Sequence, residues 1–174
     1  MDMGMDVYGK KPTAEVGEYF RRNVWGWHPL WGMIEDMFPE LASKVEEGHT
    51  NSGDGLNAVD SELMGTLLAE AAKDGRVALW IKERNEAVSE LPMDECRICE
   101  GTGIRTDDVG RNMGQHDKAL SPEQVIVLGR EFGWCNGCDG NGEKEPWESH
   151  YSVGVECAIE FADFMSASGG FEIC

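Results

Sequence analysis

The chain contains the same eight-residue pattern twice, a Cys-x-x-Cys-x-Gly-x-Gly unit that begins at Cys96 and again at Cys135. Two residues between cysteines let both sulfurs of a tight turn face one metal ion, and two such turns supply the tetrahedral thiolate set that Zn²⁺ prefers. The glycines that follow can adopt positive φ, so the chain can turn beneath the sulfurs without a Cβ clash. The pattern therefore predicts one structural zinc ion with four ligands, namely Cys96, Cys99, Cys135 and Cys138.

Other roles for these cysteines fit the sequence less well. A redox Cys-x-x-Cys belongs to a thioredoxin-like βαβ context, which the surrounding pattern lacks. A catalytic zinc keeps one coordination position open, whereas four cysteines close the sphere. Cys157 falls at helical spacing with Val153 and Phe161, so we expect it to be a buried free thiol. The four histidines show no paired metal-binding spacing. These features favour a protein that is not an enzyme, with no catalytic residues.

The duplicated units resemble the zinc-binding region of DnaJ-type chaperones, in which four such repeats form two zinc sites. Only two repeats are present here, so the resemblance implies a single site with the same four cysteines as ligands. The His-Pro-Asp of a J-domain is missing, because His28-Pro29 is followed by Leu30. The resemblance therefore implies the metal and not co-chaperone activity.

A broader resemblance covers most of the chain. Two segments of the chain look like parts of small proteins encoded by bacteriophages and prophages. They are the beginning, from Met3 to Trp31, and the end, from Glu160 to Phe171. This resemblance implies a bacterial host cell, and it carries no activity with it. The N-terminus lacks the basic and apolar regions of a signal peptide, so we expect a cytoplasmic location. No run of eighteen apolar residues predicts a membrane span.

The periodicity of apolar residues predicts a mainly α (α+β) fold, made of a helical domain and a four-cysteine zinc-knuckle or ribbon module with a helical insertion. The insertion helix should follow Ser121-Pro122-Glu123-Gln124, which has the pattern of a capping box with proline at the first helical position. Other helices are predicted at 29–37, 39–47, 60–73 and 77–90. A last helix is predicted on the apolar positions Val153, Cys157 and Phe161 and should stop before Gly169. We expect a helical, aromatic-rich part at 1–92, the zinc module at 93–142, and a C-terminal helix within 143–174 that packs on the first part in one compact domain.

The chain is strongly acidic. Thirty-three Asp and Glu against fifteen Lys and Arg give −18, and four thiolates with one Zn²⁺ would make it −18 − 4 + 2 = −20. Residues 32–62 carry eight acids against Lys44, and residues 143–174 carry seven against Lys144. Such a field attracts basic partners and repels phosphate backbones and membrane surfaces. Direct nucleic-acid binding and membrane binding are therefore disfavoured.

These features predict a phage-encoded, zinc-stabilised protein that binds a host protein with a basic surface, such as a DNA-mimicking inhibitor of a nucleic-acid-handling or defence complex. One alternative is a nucleic-acid-binding zinc-ribbon regulator. It would use segment 7–31, where Arg21 and Arg22 accompany several aromatic residues that could equally form core. A second alternative is a small enzyme with its site around the polar loop Gly48–Asn57. The sequence leaves the partner and the oligomeric state open.

Overall fold

The structure, a computed structural model, describes residues 4–174 and divides them into two compact units. The first, here the core unit, comprises the described residues up to Ser89 together with His150–Cys174. The second, here the cysteine unit, spans Glu90–Ser149. Helices and short strands are combined in an α+β fold, which confirms the predicted class. None of the described helices is long and apolar enough to cross a membrane.

The main elements follow in chain order. They are β1 (Gly4–Gly9), β2 (Tyr19–Asn23), α1 (Val24–Met37), α2 (Pro39–Ala42), α3 (Ala58–Lys73), α4 (Arg76–Ser89), β3 (Asp94–Glu95), α5 (Asp108–Asn112), α6 (Pro122–Leu128), β4 (Glu143–Lys144), α7 (Val155–Ala167) and β5 (Phe171–Ile173). Short 3-10 helices lie at Glu15–Gly17 and Trp147–His150.

The core unit contains a three-stranded antiparallel sheet that the sequence had not predicted. Its order is β2-β1-β5, and Val7 in β1 lies opposite Phe20 in β2 and Ile173 in β5. Met5 and Val7 are buried while Tyr8 is exposed, which is the two-residue period of a strand with one covered face. The sheet thus joins the two ends of the described chain.

Side-chain caps determine where two of the helices begin. Asn23 accepts a hydrogen bond from the Gly26 N–H, so α1 begins at Val24, five residues before the predicted start. Asn57 accepts from the N–H groups of Val59 and Asp60 and caps α3, which begins at Ala58, two residues before the predicted start. In both places an asparagine upstream of the predicted start supplies the cap.

Helices α3 and α7 cross closely because small residues meet there. The Ser61 hydroxyl donates to the Met165 carbonyl at 2.9 Å. A Cβ on Gly65 would lie 2.7 Å from the Ala162 carbonyl oxygen, so only glycine allows this approach. The core around this crossing holds large buried side chains, including Trp27, Trp31, Phe161, Phe164 and Phe171. The C-terminal helix is therefore part of the core unit.

The cysteine unit is built around a short ladder and the inserted helix. Strands β3 and β4 are antiparallel, with Glu95 opposite Glu143. Helix α6 begins with the predicted capping box, since Ser121 and Gln124 each accept from the other's backbone N–H. Within Glu90–Ser149 the buried hydrophobic cluster consists of the four cysteines alone. This unit therefore lacks an apolar core of the ordinary kind.

Candidate metal centre

The β3–β4 ladder brings the two Cys-x-x-Cys-x-Gly-x-Gly units, here the knuckles, next to each other. Cys96 follows directly on β3, and its backbone N–H donates to the carbonyl of Gly142 at 2.8 Å. Gly142 directly precedes β4 and ends the second knuckle. The first residue of one knuckle is thereby bonded to the last residue of the other, although 46 positions separate them in the sequence.

The four sulfurs converge on one point. All of them lie within 4.8 Å of one another, with 3.9 Å between the Sγ atoms of Cys96 and Cys135 and 3.7 Å between those of Cys99 and Cys138. All four residues are buried, the most exposed at 6%. Among residues 4–174 this is the one cluster of three or more Cys, His, Asp or Glu side chains that could hold a metal ion.

Each knuckle directs a backbone N–H at a sulfur. The Gly103 N–H donates to Cys99 Sγ at 3.3 Å, and the Gly142 N–H donates to Cys138 Sγ at 3.2 Å. Both turns pass through the left-handed region at the same steps, with φ of 50° at Glu100 and 49° at Asp139. The repeated sequence therefore gives a repeated conformation. Donors aimed at sulfur stabilise thiolates, the form that binds metals.

The glycines of the motif let the two knuckles pack against each other. A Cβ on Gly103 would lie 2.2 Å from the Gly140 carbonyl oxygen, and a Cβ on Gly142 would lie 2.2 Å from that of Gly101. The guanidinium of Arg130, which comes from the insertion, donates to the carbonyls of Gly103 and Gly140 at 3.0 and 2.7 Å. Arg130 thus ties both knuckles together, a role that no local sequence pattern indicated.

The thiols influence one another's ionisation. Burial acts to raise the pKa of Cys96, but the N–H groups of Ile98 and Cys99, helped by neighbouring sulfurs, outweigh it and lower this pKa to about 7. Burial raises the pKa of Cys138 to about 12, and the other three thiols add to the rise. Negative charges at these separations repel, so one thiolate forms readily and the last does not. A divalent cation among them would remove that repulsion.

The donor set fits a soft or borderline cation. For tetrahedral zinc with Zn–S bonds of ~2.3 Å, neighbouring sulfurs would be ~3.8 Å apart. The separations of 3.7 and 3.9 Å bracket this value. The four buried cysteines could therefore hold a metal ion such as zinc.

The basic and aromatic segment 7–31 places three of its large aromatic side chains in the core and both of its arginines in ion pairs. Trp27 and Trp31 are fully buried, and Phe20 is 7% exposed. Arg21 pairs with Asp6 at 3.4 Å, and Arg22 pairs with Glu160. Tyr8 and Tyr19 are exposed side by side, with ring centroids 5.2 Å apart. Three aromatic side chains and both arginines of the segment are thus used inside the core unit, whereas Tyr8 and Tyr19 stay exposed.

The polar loop Gly48–Asn57 is held by its own side chains. Asp54 accepts hydrogen bonds from the N–H groups of Glu47 and Gly55, and these bonds lower the pKa of its carboxyl group. Asn51 donates to the Gly4 carbonyl. The Gly53 N–H donates to the Ile173 carbonyl at 2.7 Å, which ties the loop to β5. These polar groups hold the loop in its conformation and attach it to β1 and β5.

Two histidines that the sequence left unpaired meet in the core unit. The Nδ1 atoms of His28 and His49 are 2.8 Å apart, and His49 Nε2 lies 3.1 Å from a carboxylate oxygen of Glu35. Burial, followed by the charge of His49, lowers the pKa of His28. These contacts, from His28 through His49 to Glu35, link the Gly48–Asn57 loop to α1. Twenty residues separate the histidines, so no local spacing could reveal the pair.

Cys157 is a half-buried thiol on α7. It packs against the hydrophobic core, as its spacing with Val153 and Phe161 suggested, and Arg22 Nε donates to its sulfur at 2.9 Å. Burial raises the pKa of the Cys157 thiol, with Arg22 acting in the opposite direction. It stands apart from the four-cysteine cluster, and so does the exposed Cys174.

Together these observations define an α+β protein with a pair of cysteine knuckles able to hold one metal ion. Comparison of the chain with protein-family models, curated proteins and solved structures gave no match.

Proposed function

We propose that this chain is a zinc-stabilised binding protein in which Cys96, Cys99, Cys135 and Cys138 hold one structural Zn²⁺. The convergence of four buried sulfurs within 4.8 Å, two of whose separations match those of a tetrahedral zinc site, carries this proposal. Four thiolates complete the coordination sphere, which is the arrangement of structural rather than catalytic zinc. Tetrahedral sulfur ligation also suits a single iron ion, so the identity of the metal is the first thing to measure.

Metal analysis tests the zinc proposal directly. The chain should be purified without a histidine tag and analysed by inductively coupled plasma mass spectrometry. One zinc per chain is the expected result. One iron per chain, with the visible absorption of an iron–thiolate centre, would contradict the choice of metal, and a metal-free protein with reduced thiols would contradict the site itself.

The partner we propose is a basic protein of a bacterial host cell, bound by the acidic surface of a phage-encoded chain. The charge distribution supports this proposal. Lys44, the single Lys or Arg in residues 32–62, is paired with Asp60 at 2.6 Å, and His49 lies beside Glu35, so the other acids of that stretch are left in excess. Glu40, Glu46 and Glu62 are exposed there. A surface of this kind can enter a cleft that normally receives nucleic acid, which is why a DNA-mimicking role is included.

Salt-dependent capture tests the binding proposal. Immobilised chain should retain a basic host protein, identified by mass spectrometry, at 50 mM but not at 500 mM salt. A variant with Glu40→Gln, Glu46→Gln and Glu62→Gln should retain less of it, while its zinc content stays unchanged. Equal retention by this variant and by the original chain would count against the acidic surface.

Nucleic-acid binding remains the competing outcome, and a gel-shift assay decides it. Single- and double-stranded oligonucleotides should not shift with the original chain, because its net charge of −18 repels phosphate. A shift lost on changing both Arg21→Gln and Arg22→Gln would favour the nucleic-acid alternative instead.

A further inference from the structure

Helix α6 has an apolar sequence but no buried residue. It reads Pro-Glu-Gln-Val-Ile-Val-Leu, and Ile126 and Val127 are 84% and 77% exposed. Single apolar residues on a surface are ordinary, whereas contiguous exposed apolar patches are characteristic of interaction sites. The capping box and the left-handed Gly129 fix both ends of this helix. Its exposed face is therefore a well-formed feature of the cysteine unit.

A shallow groove lies beside this face. Val127, Leu128 and Trp134 supply its apolar lining, and Glu123 and Asp139 supply acidic groups. No lysine or arginine is among its lining residues, although Lys118 lies over the ring of Trp134, with its Nζ 4.4 Å from the ring centroid. Trp134 directly precedes Cys135, and Asp139 directly follows Cys138. The metal centre thus fixes the positions of one wall of the groove.

We propose that the α6 face, meaning Ile126 and Val127 with the adjoining groove, is a docking site for a basic amphipathic segment of another protein. Large apolar side chains of that segment would cover α6 and fill the groove, and its Lys or Arg residues would pair with Glu123 and Asp139. This inference deepens the proposed function and rests on it, because it names the surface through which the acidic chain holds its basic partner.

Charge selects this occupant over the alternatives. A second copy of the chain would bring its own Glu123 and Asp139 to the contact, and each copy carries −18. Like charges facing each other oppose such a dimer, and an anionic lipid surface is repelled in the same way. A segment with apolar residues flanked by positive charges satisfies both the exposed helix face and the acidic lining.

A labelled peptide provides a defined probe. A fluorescein-labelled 14-residue peptide of leucine and lysine, with leucines on one helical face, is titrated with the protein at 100 mM salt and followed by fluorescence anisotropy. A glycine–lysine peptide of equal charge serves as the probe for charge alone. We expect the leucine–lysine peptide to bind about tenfold more tightly, since ~1.4 kcal/mol of apolar contact gives that factor.

Charge-preserving variants locate the site. Ile126→Asn with Val127→Asn should weaken binding of the leucine–lysine peptide about tenfold, an effect of ~1.4 kcal/mol. The matched control is Val59→Asn with Leu63→Asn, two exposed apolar residues of α3, which should leave binding unchanged. Glu123→Gln with Asp139→Asn should weaken binding and flatten its salt dependence. Zinc content is measured for every variant, so that a folding defect is recognised.

Three results would overturn the proposal, and they are distinguishable. Unchanged binding by the α6 variant would remove the docking site while leaving the acidic binding protein intact. Failure of the original chain to bind either lysine peptide at low salt would remove the proposed function as well. Sedimentation showing a dimer that the α6 variant abolishes would assign the face to a second copy of the chain.

Discussion

The two units of this chain are stabilised in different ways. Every α-helix and strand of the core unit contributes buried apolar side chains, and each large one contributes ~1.5–3 kcal/mol through burial. The cysteine unit buries only its four cysteines as a hydrophobic cluster, while its other large apolar residues remain partly or largely exposed. The first unit therefore depends on apolar burial, whereas the second, under the zinc proposal, depends on a bound cation.

The largest effect should come from removing one ligand. Cys99→Ser leaves three thiolates, so zinc should fall well below one per chain and the cysteine unit should lose its structure. Zinc binding in small four-ligand sites contributes ~10–16 kcal/mol at neutral pH, and that energy is also folding energy. Metal analysis and amide hydrogen exchange measure both losses. The matched control is Cys157→Ser, which changes a thiol outside the cluster and should keep the zinc.

A substitution in the core unit should lower the stability of that unit and leave the zinc content unchanged. Phe161 is fully buried and packs against Phe20 and Trp27, so Phe161→Ala should destabilise the core unit by about 3–5 kcal/mol. Urea denaturation measures this loss, and zinc content should remain at one per chain. Phe132→Ala is its control, because Phe132 is 57% exposed in the cysteine unit. Loss of zinc from Phe161→Ala would show that the two sources of stability are not separate.

An intermediate effect is expected where the knuckles touch. Gly142→Ala places a Cβ 2.2 Å from the Gly101 carbonyl oxygen at a φ of 87°, so we expect a loss of about 2–3 kcal/mol in the cysteine unit. Gly129→Ala is the control, because Gly129 also has a positive φ but an added Cβ would have no neighbouring atom within 4 Å. It should cost about 1 kcal/mol of stability. Competition with a zinc-binding dye measures both. Equal losses would mean that close packing of the knuckles contributes nothing.

The smallest effect concerns the histidine pair of the core unit. The pKa of His28 is lowered in the folded state, so the unfolded chain takes up this proton first as the pH falls. The contribution of neutral His28 to the free energy of unfolding is fully present above the ordinary histidine pKa of about 6.5 and declines as the pH falls below it. Urea denaturation at pH 7.5 and 5.5 should show a smaller pH-dependent loss for His28→Gln than for the original chain. An equal loss would exclude His28 as a contributor.

The sequence predicted what depends on local patterns. The cysteine cluster follows from spacing within each knuckle, and the start of α6 follows from four consecutive residues, Ser121–Gln124. The end of α7 before Gly169 was also predicted, because a glycine pair follows the helical spacing. In each case neighbouring residues determine the conformation.

Contacts between residues that are far apart in the chain could not be predicted from the sequence. Strand β1 was missed although Met5-Asp6-Val7 alternates, and no local pattern marks its pairing with the three-residue β5 at the other end of the described chain. Arg130 was missed as the residue that joins the knuckles, and so was the pairing of His28 with His49. These contacts arise only after the chain has folded, and no fixed spacing marks them.

Chelation followed by region-resolved hydrogen exchange tests the dependence of the cysteine unit on its cation most directly. Treatment with a zinc chelator should remove one zinc per chain, and amide protection should be lost throughout Glu90–Ser149 but kept in α1, α3 and α7. Adding zinc back should restore it. Unchanged protection of the knuckle amides after complete removal of the metal would contradict the account.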